Sequence, residues 1–162
     1  MLTLTGTIPK SNREPFDPVM DRMIGQHGLS FTTAYEFDTA ALQKLASVTI
    51  KPTVEYDAKR HTLEGPLLTS VLEAAGVTGN PKTQLVLRAV DGFNVALSVA
   101  DARAYRMVVA LRMDGRPLGL GGLGPQWALY DADQLTEFRD KPLKERFGLC
   151  PWGLYHIEVK AG

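Results

Sequence analysis

The segment from residue 61 to residue 77 most constrains what this chain can fold into. Residues 62–64 are typical of the end of a strand, and Gly65-Pro66 is a turn whose proline can open a helix. Gly76 is the usual left-handed stop after a helix. Between them, apolar residues recur every three or four positions, at Leu67, Leu68, Val71, Leu72 and Ala75. A short helix with one apolar face must lie on a sheet, so we expect a strand-turn-helix unit whose turn forms the rim of a pocket.

The rest of the chain consists of short strand-like segments separated by turns. Two Asp-Gly pairs, at residues 91–92 and 114–115, are strong signals for tight hairpins, and Asp38 is placed to cap a helix. Strands are predicted at 2–8, 29–37, 48–50, 53–56, 84–90, 93–98, 108–113, 126–130 and 155–159, helices at 18–24, 40–45 and 99–103, a loop at 79–81, and an exposed charged segment at 131–144. This count favours a sheet-rich α+β domain with short helices.

The composition excludes several classes of protein. The chain of 162 residues has 18 basic and 18 acidic side chains, so it has no net field to attract nucleic acid or anionic lipid. Its length suits one domain, and no apolar run approaches the ~18 residues that span a membrane. The single cysteine, Cys150, excludes an internal disulfide and a multi-cysteine metal site. The first residues lack the pattern of a signal peptide, so we expect either a cytoplasmic protein or the mature form of an exported one.

Few residues carry an obvious signal for chemistry. His27, His61 and His156 lie far apart in the sequence, without the spacing of a zinc site. No His-Asp signature surrounds Cys150, which favours a buried structural thiol over a nucleophile.

The two tryptophans are more informative. Trp127 follows Gly124-Pro125, and Trp152 lies between Pro151 and Gly153. A tryptophan with such neighbours is often placed at the end of a strand, where one ring face stays open for a flat, π-rich ligand. The alternative, that both indoles fill the core, is equally compatible with the sequence.

Several ordered motifs carry a resemblance to a known family. The chain resembles the molybdopterin-binding domain of the sulfite oxidase fold over about residues 2–159, with residues 13–37 as a probable insertion. The matching motifs are Leu-Glu-Gly-Pro-Leu-Leu (63–68), Val-Leu-Glu-Ala-Ala-Gly-Val (71–77), Ala-Val-Asp-Gly-Phe-Asn-Val (89–95), Leu-Arg-Met-Asp-Gly-Arg-Pro-Leu (111–118) and Gly-Pro-Gln-Trp-Ala-Leu-Tyr (124–130). The resemblance implies a single domain over residues 1–162 with a sheet-rich, sulfite-oxidase-like α+β fold.

The chain departs from the catalytic members of that family at the metal. In those members a cysteine upstream of the Gly-Pro-Leu helix binds molybdenum, whereas the corresponding region here, residues 48–60, contains Thr53 and no cysteine. A dithiolene-held metal needs that thiolate to complete the usual oxidase centre, so neither a molybdenum cofactor nor oxygen-atom transfer is expected.

The chain looks more like the small, exported, cysteine-less members of the fold. Some of these bind a free reduced pterin, of the tetrahydropterin type, and report it to a membrane-bound enzyme that makes or degrades cyclic di-GMP. The resemblance therefore implies a non-catalytic, periplasmic signalling protein whose pterin pocket includes Trp127 and Trp152.

The chemistry of a pterin suggests further ligands. A carboxylate such as Asp91 can accept from the guanidine-like edge of the ring, and Arg112 or Arg146 can donate to its carbonyl. Tyr130 is a weaker candidate, because a regular strand would turn it away from the face of Trp127. Each has an ordinary alternative: Asp91 serves the hairpin turn, and the arginines are solvated.

Two other functions stay open on the sequence. One is a molybdenum-cofactor oxidoreductase with an atypical metal site. The other is a structural, partner-binding module in which the pocket is filled by side chains.

Overall fold

The computed structural model describes residues 1–78 and 80–161, so Gly79 of the predicted loop lies outside the described residues. Strands dominate, as the sequence predicts. In chain order they are β1 (Leu2–Gly6), β2 (Ala34–Phe37), β3 (Ser47–Ile50), β4 (Thr53–Val54), β5 (Lys59–Arg60), β6 (Leu63–Pro66), β7 (Gln84–Ala89), β8 (Asn94–Ser98), β9 (Val108–Ala110), β10 (Arg112–Met113), β11 (Arg116–Pro117), β12 (Gln126–Leu129) and β13 (Trp152–Lys160). The helices are α1 (Arg22–Gln26), α2 (Thr39–Gln43), α3 (Leu68–Ala74) and α4 (Val99–Ala104), with 3₁₀ turns at Ala132–Gln134 and Leu143–Glu145. The predicted α+β class with short helices is confirmed.

The larger sheet is built around β13. Within the described residues this sheet has seven strands. Five of them pair in the order β2-β1-β13-β12-β9; β13 also pairs with β7, which in turn pairs with β8. The pairing of β1 with β13 is parallel, and the pairings of β13 with β7 and β12 are antiparallel. Eight of the nine residues of β13 are buried or half-buried, which fits a strand that has neighbours on both edges.

A second sheet and a small hairpin lie beside the first. The second sheet has the order β11-β10-β6-β3 among the described residues, and β4 pairs only with β5. Both Asp-Gly turns are confirmed, because β7 pairs with β8 and β10 pairs with β11 in antiparallel register. The predicted strand at 108–113 divides at Leu111 into β9 and β10, which belong to different sheets.

The predicted strand-turn-helix unit is present as β6 and α3. Pro66 ends the strand, Leu67 is the N-cap residue and Leu68 is the first helical residue, so the proline lies two positions before its predicted place at the start of the helix. Only glycine fits at position 65, because a Cβ there would lie 2.0 Å from the carbonyl oxygen of Val109. Gly76, at φ +82°, ends the helix as predicted. Leu68, Val71 and Leu72 face the core.

Several predicted boundaries are wrong for local reasons. The strand predicted at 29–37 is only Ala34–Phe37, because β1 stops pairing with it at Thr5. The helix predicted at 18–24 starts later, since Asp17 Oδ1 accepts from the N–H groups of Val19 and Met20 and forms a separate turn there. The strand predicted at 53–56 ends at Val54. The segment 131–144 is not wholly at the surface, since Ala132 and Phe138 are buried.

The predicted insertion at 13–37 is fastened to the sheet by polar contacts. Arg13 pairs with Asp21 at 2.7 Å and with Glu36 at 2.6 Å. His27 Nδ1 lies 2.5 Å from the hydroxyl oxygen of Tyr155 on β13. The insertion thus covers part of the large sheet. None of the helices in the described residues is long and apolar enough to cross a membrane.

Candidate functional site

An aromatic pocket of about 320 Å³ opens where three segments meet. These are the turn between β4 and β5, the turn between β7 and β8, and the segment that leads into β13. Its aromatic lining residues are Tyr56, Phe93, Phe147 and Trp152, its charged ones are Glu55, Asp91 and Lys144, and Ala89, Gly148, Cys150 and Pro151 complete the wall. The volume lies within the usual range of small-molecule sites, ~300–1,000 Å³.

The aromatic side chains of this pocket are unusually open to solvent. Tyr56 is 56% exposed and Phe93 is 51% exposed, and Trp152 is half-buried. Phe147 is buried and forms the floor. Large aromatic side chains are rarely left in water when packing could cover them, so their convergence on one cavity makes it the candidate binding surface. Rings placed in this way can stack on a planar ligand.

Trp127 lies beneath this pocket, outside its lining. Its side chain is 1% exposed, and its Nε1–H donates to the carbonyl oxygen of Cys150 at 3.1 Å. Its ring centroid lies 6.1 Å from that of Tyr56 and 6.5 Å from that of Phe147. The expectation of an open ring face is therefore wrong for Trp127, where the core-filling alternative holds, and it fits Trp152.

Two carboxylates and one ammonium group surround the aromatic rings. Asp91 Oδ1 accepts the N–H of Phe93 at 3.0 Å, so this residue serves the hairpin turn and also lines the pocket. Burial raises the pKa of Tyr56 to about 12, with a further rise from the Glu55 carboxylate and an opposing effect of the Trp152 side chain. The Tyr56 hydroxyl therefore stays protonated at neutral pH and can donate a hydrogen bond.

Three predicted site residues lie elsewhere. Arg146 donates to Asp133 at 3.0 Å and to the carbonyl oxygens of Lys141 and Arg139, so its guanidinium is used to hold the 139–146 segment. Tyr130 is fully buried, its hydroxyl donates to the carbonyl oxygen of Arg146 at 2.7 Å, and burial raises its pKa.

Arg112 belongs to a different and smaller cavity. It lines a space of about 110 Å³ beside Gly65 and Pro66, where its Nη1 donates to the carbonyl oxygen of Gly115 at 3.0 Å. The rim predicted at the Gly-Pro turn thus exists, but it does not border the aromatic pocket.

Sequence reasoning missed Glu55, Tyr56, Phe93, Lys144 and Phe147 as lining residues. The available signal was the placement of Tyr56 and Phe93 in or beside turns, where an aromatic side chain has few neighbours to cover it. Phe147 and Lys144 carry no such signal, because they lie in a segment that reads as charged surface.

Cys150 lines the pocket but does not offer a thiolate. Burial raises the pKa of the Cys150 thiol to about 12, so at neutral pH it is a thiol and not a thiolate, in line with the predicted structural role. Thr53, in the region that corresponds to the molybdenum-binding cysteine of the catalytic family members, donates its N–H and hydroxyl to Asp133 Oδ2 at 2.8 and 2.9 Å. In the part of the chain that the structure describes, no three His, Cys, Asp or Glu side chains form a group that could hold a metal ion. These donors do not fit a thiolate-bound molybdenum.

A larger cavity lies at the opposite end of β13. It measures about 520 Å³ and is lined by the end of β1, the residues after α3 and the end of β13. Its described lining residues carry neither a charge nor an aromatic ring. The aromatic pocket offers more specific recognition.

Comparison with known protein families and with curated proteins gives no match for this chain. The assignment of a function therefore rests on the geometry of the aromatic pocket and on the motifs of the sequence.

Proposed function

We propose that this protein binds a reduced pterin in the aromatic pocket and does so without catalysing a reaction on it. The observation that carries the proposal is the convergence of Tyr56, Phe93 and Trp152, all exposed to some degree, on a cavity that also holds two carboxylates. A pterin is a flat bicycle with a donor-rich edge, which matches these two features. The motifs that resemble cysteine-less, sulfite-oxidase-like domains support the same ligand class.

The indole and phenyl rings supply the stacking surface. Stacking of a base on an aromatic side chain contributes ~1–3 kcal/mol, and we expect the same order for a pterin on Trp152 or Phe93. Because Trp127 is buried, it does not touch the ligand; it lies next to the Tyr56 ring and is paired with Trp152 across β12 and β13.

The charged groups define the orientation of the ring. Glu55 and Asp91 accept from the donor edge, and the protonated Tyr56 hydroxyl or Lys144 donates to the carbonyl. In this arrangement Asp91 keeps the role proposed for it, while Arg112 and Arg146 are replaced by Tyr56 and Lys144.

A titration tests the proposal. Anaerobic addition of tetrahydrobiopterin should quench tryptophan fluorescence and give a saturable isotherm by calorimetry. Trp152→Ala and Phe93→Ala should each weaken binding about 5- to 150-fold, the range that ~1–3 kcal/mol implies. Leu120→Ala is the matched control, because Leu120 is 76% exposed and lies outside the pocket lining. Unchanged affinity in both aromatic variants would overturn the site.

The signalling role belongs to the same proposal. The resemblance favours a periplasmic sensor that passes pterin occupancy to a membrane enzyme of cyclic di-GMP metabolism. Co-purification with the periplasmic domain of such an enzyme, in the presence and absence of pterin, tests this step. If the two proteins do not associate either with or without pterin, the proposed partner is wrong, but the proposed binding site is unaffected.

The two alternatives are disfavoured by specific observations. A molybdenum oxidoreductase lacks an available thiolate, since Cys150 is buried and protonated. A module with a filled pocket is at odds with the open cavity beside Trp152. Stoichiometric molybdenum in protein purified from its own host would restore the first alternative.

A further inference from the structure

His61 is placed between two carboxylates that belong to different turns. Its Nδ1 lies 2.6 Å from Asp114 Oδ2, on the turn between β10 and β11, and its Nε2 lies 2.7 Å from Asp57 Oδ2, on the turn between β4 and β5. A neutral imidazole has one N–H, and an ionised carboxylate can only accept. Both contacts are hydrogen bonds at once only when His61 is an imidazolium.

One of these turns carries the wall of the aromatic pocket. Asp57 follows Glu55 and Tyr56 directly, and both of those line the cavity. The β4–β5 hairpin has only two paired positions, Thr53 with Arg60 and Val54 with Lys59, and so small a hairpin is marginal without outside contacts. Its base is held by the bonds from Thr53 to Asp133, and its tip is held by the contact between Asp57 and His61.

The other carboxylate provides a fixed anchor. Asp114 Oδ1 accepts the N–H of Thr62 at 2.9 Å, and the N–H of Asp114 donates to the carbonyl oxygen of Thr62 at 2.8 Å. His61 therefore joins a weakly paired turn to one that two hydrogen bonds fix to Thr62.

We propose that protonated His61 is a positioning residue for the aromatic pocket: it links Asp57 to Asp114, holds Tyr56 and Glu55 against the cavity, and makes ligand affinity fall as the pH rises. We call the Asp57–His61–Asp114 arrangement the clamp. The predicted change in ligand affinity rests on the proposed function, whereas the clamp itself can be measured without ligand.

The charged groups around His61 favour its protonated form. Asp114 first, and then Asp57, raise the pKa of His61 above its ordinary 6.5, and His61 in turn lowers the pKa of both carboxyls. Lys59 faces Asp57 and Arg116 faces Asp114, and each helps to keep its carboxylate ionised. Because the pKa of His61 is raised, the clamp is complete below pH 6.5 and is lost as the pH rises through the higher folded-state value.

The experiment measures tetrahydrobiopterin affinity from pH 5.5 to 9 for the wild type, His61→Gln and the matched surface control Asp140→Asn. The wild type and the control should lose affinity about two- to fivefold across the titration of His61, the range expected for exposed charge pairs. His61→Gln should bind more weakly than the wild type where His61 is protonated, and the two affinities should converge at the high end of the pH range. Any titration of the pterin itself affects all three proteins alike, so the difference between the curves isolates His61.

A second measurement follows the clamp without ligand. In the ligand-free wild type, the NMR signals of the His61 imidazole and of the Tyr56 ring should titrate together with one midpoint above 6.5, and the Tyr56 titration should vanish in His61→Gln. Parallel affinity curves for wild type and His61→Gln, or a Tyr56 ring that ignores His61, would overturn the inference. If no protein binds pterin at any pH but Tyr56 still follows His61, the proposed ligand is wrong and the positioning role stands.

Discussion

The Nε1–H of Trp127 donates to the carbonyl oxygen of Cys150 at 3.1 Å, which ties β12 to the segment that forms the floor of the aromatic pocket. The bond lies entirely in the interior, since Trp127 is 1% exposed and Cys150 is 4% exposed. Trp127 therefore lies behind the lining of the aromatic pocket, next to Phe147 and Tyr56.

We therefore expect substitution of Trp127 to affect mainly the stability of the fold, and substitution of Trp152 to affect mainly the affinity for pterin. Trp127→Phe should lower the free energy of unfolding by about 2 kcal/mol, because it leaves a cavity and an unpaired buried carbonyl. It should weaken pterin binding less than Trp152→Ala does. Urea denaturation and the fluorescence titration measure the two effects. A Trp127→Phe protein of full stability that no longer binds would place this ring in the ligand site after all.

Gly65 should be intolerant of any side chain. A Cβ at this position would lie 2.0 Å from the carbonyl oxygen of Val109 and 2.9 Å from the Cα of Ala110, so β6 and β9 would have to separate. We expect Gly65→Ala to cost at least about 1–3 kcal/mol in urea denaturation. Gly119→Ala is the matched control, since a Cβ there meets nothing within 4 Å. Similar stability of the two variants would contradict the close approach.

His156 should contribute acid sensitivity. Burial, and then Arg88, lower its pKa to about 4, and its Nε2 lies 2.8 Å from Thr5 Oγ1. Since the pKa falls from 6.5 in the unfolded chain to about 4 in the folded one, the stabilisation is complete above pH 6.5 and is lost as the pH falls towards 4. The loss amounts to about 3 kcal/mol.

The measurement for His156 is the free energy of unfolding at several pH values between 7 and 4. In His156→Gln the decline should be smaller by that amount. The raised pKa of His61 changes stability only above pH 6.5, outside the range in which the His156 contribution is lost. An identical decline in wild type and His156→Gln would mean that folding does not lower the pKa of this imidazole.

Replacing Asp131 with asparagine should make the protein more stable at neutral pH. Its Oδ1 is buried without a hydrogen-bond partner, and burial, followed by the charge of Asp133, raises its pKa above 3.8. The charged form is therefore penalised in the folded state at neutral pH, and the penalty disappears as the pH falls through the folded-state pKa. We expect Asp131→Asn to raise stability by up to about 1 kcal/mol at pH 7, after allowance for solvent screening, and to lose this advantage in acid. Asp140→Asn serves as the control, and a lower melting temperature for Asp131→Asn alone would contradict the prediction.

Local chemistry made part of this fold predictable. The turns at Asp91-Gly92 and Asp114-Gly115 and the helix that ends at Gly76 follow from the few residues that form them. The same is true of Asp38, whose side chain accepts from Ala41 at the start of α2.

The site could be predicted only in part, because it depends on contacts between distant segments. Trp127 and Trp152 have similar glycine and proline neighbours, yet all four residues of β12 are buried, while Trp152 begins β13 at the edge of a cavity. Tyr56 and Phe93 meet only because two hairpin turns converge. The sequence could not show that Arg146 is used by Asp133 and by carbonyl groups near it.

The position of β13 at the centre of the large sheet has a consequence for how the domain is made. Strands β1, β7 and β12 can first pair with β2, β8 and β9, but all three are synthesised before β13, so the large sheet cannot be completed until β13 has left the ribosome. Such long-range pairing is slow to form, and the waiting strands expose unpaired edges that favour aggregation. Trp152 opens that same late strand, so the aromatic pocket is complete only after β13 has joined the large sheet.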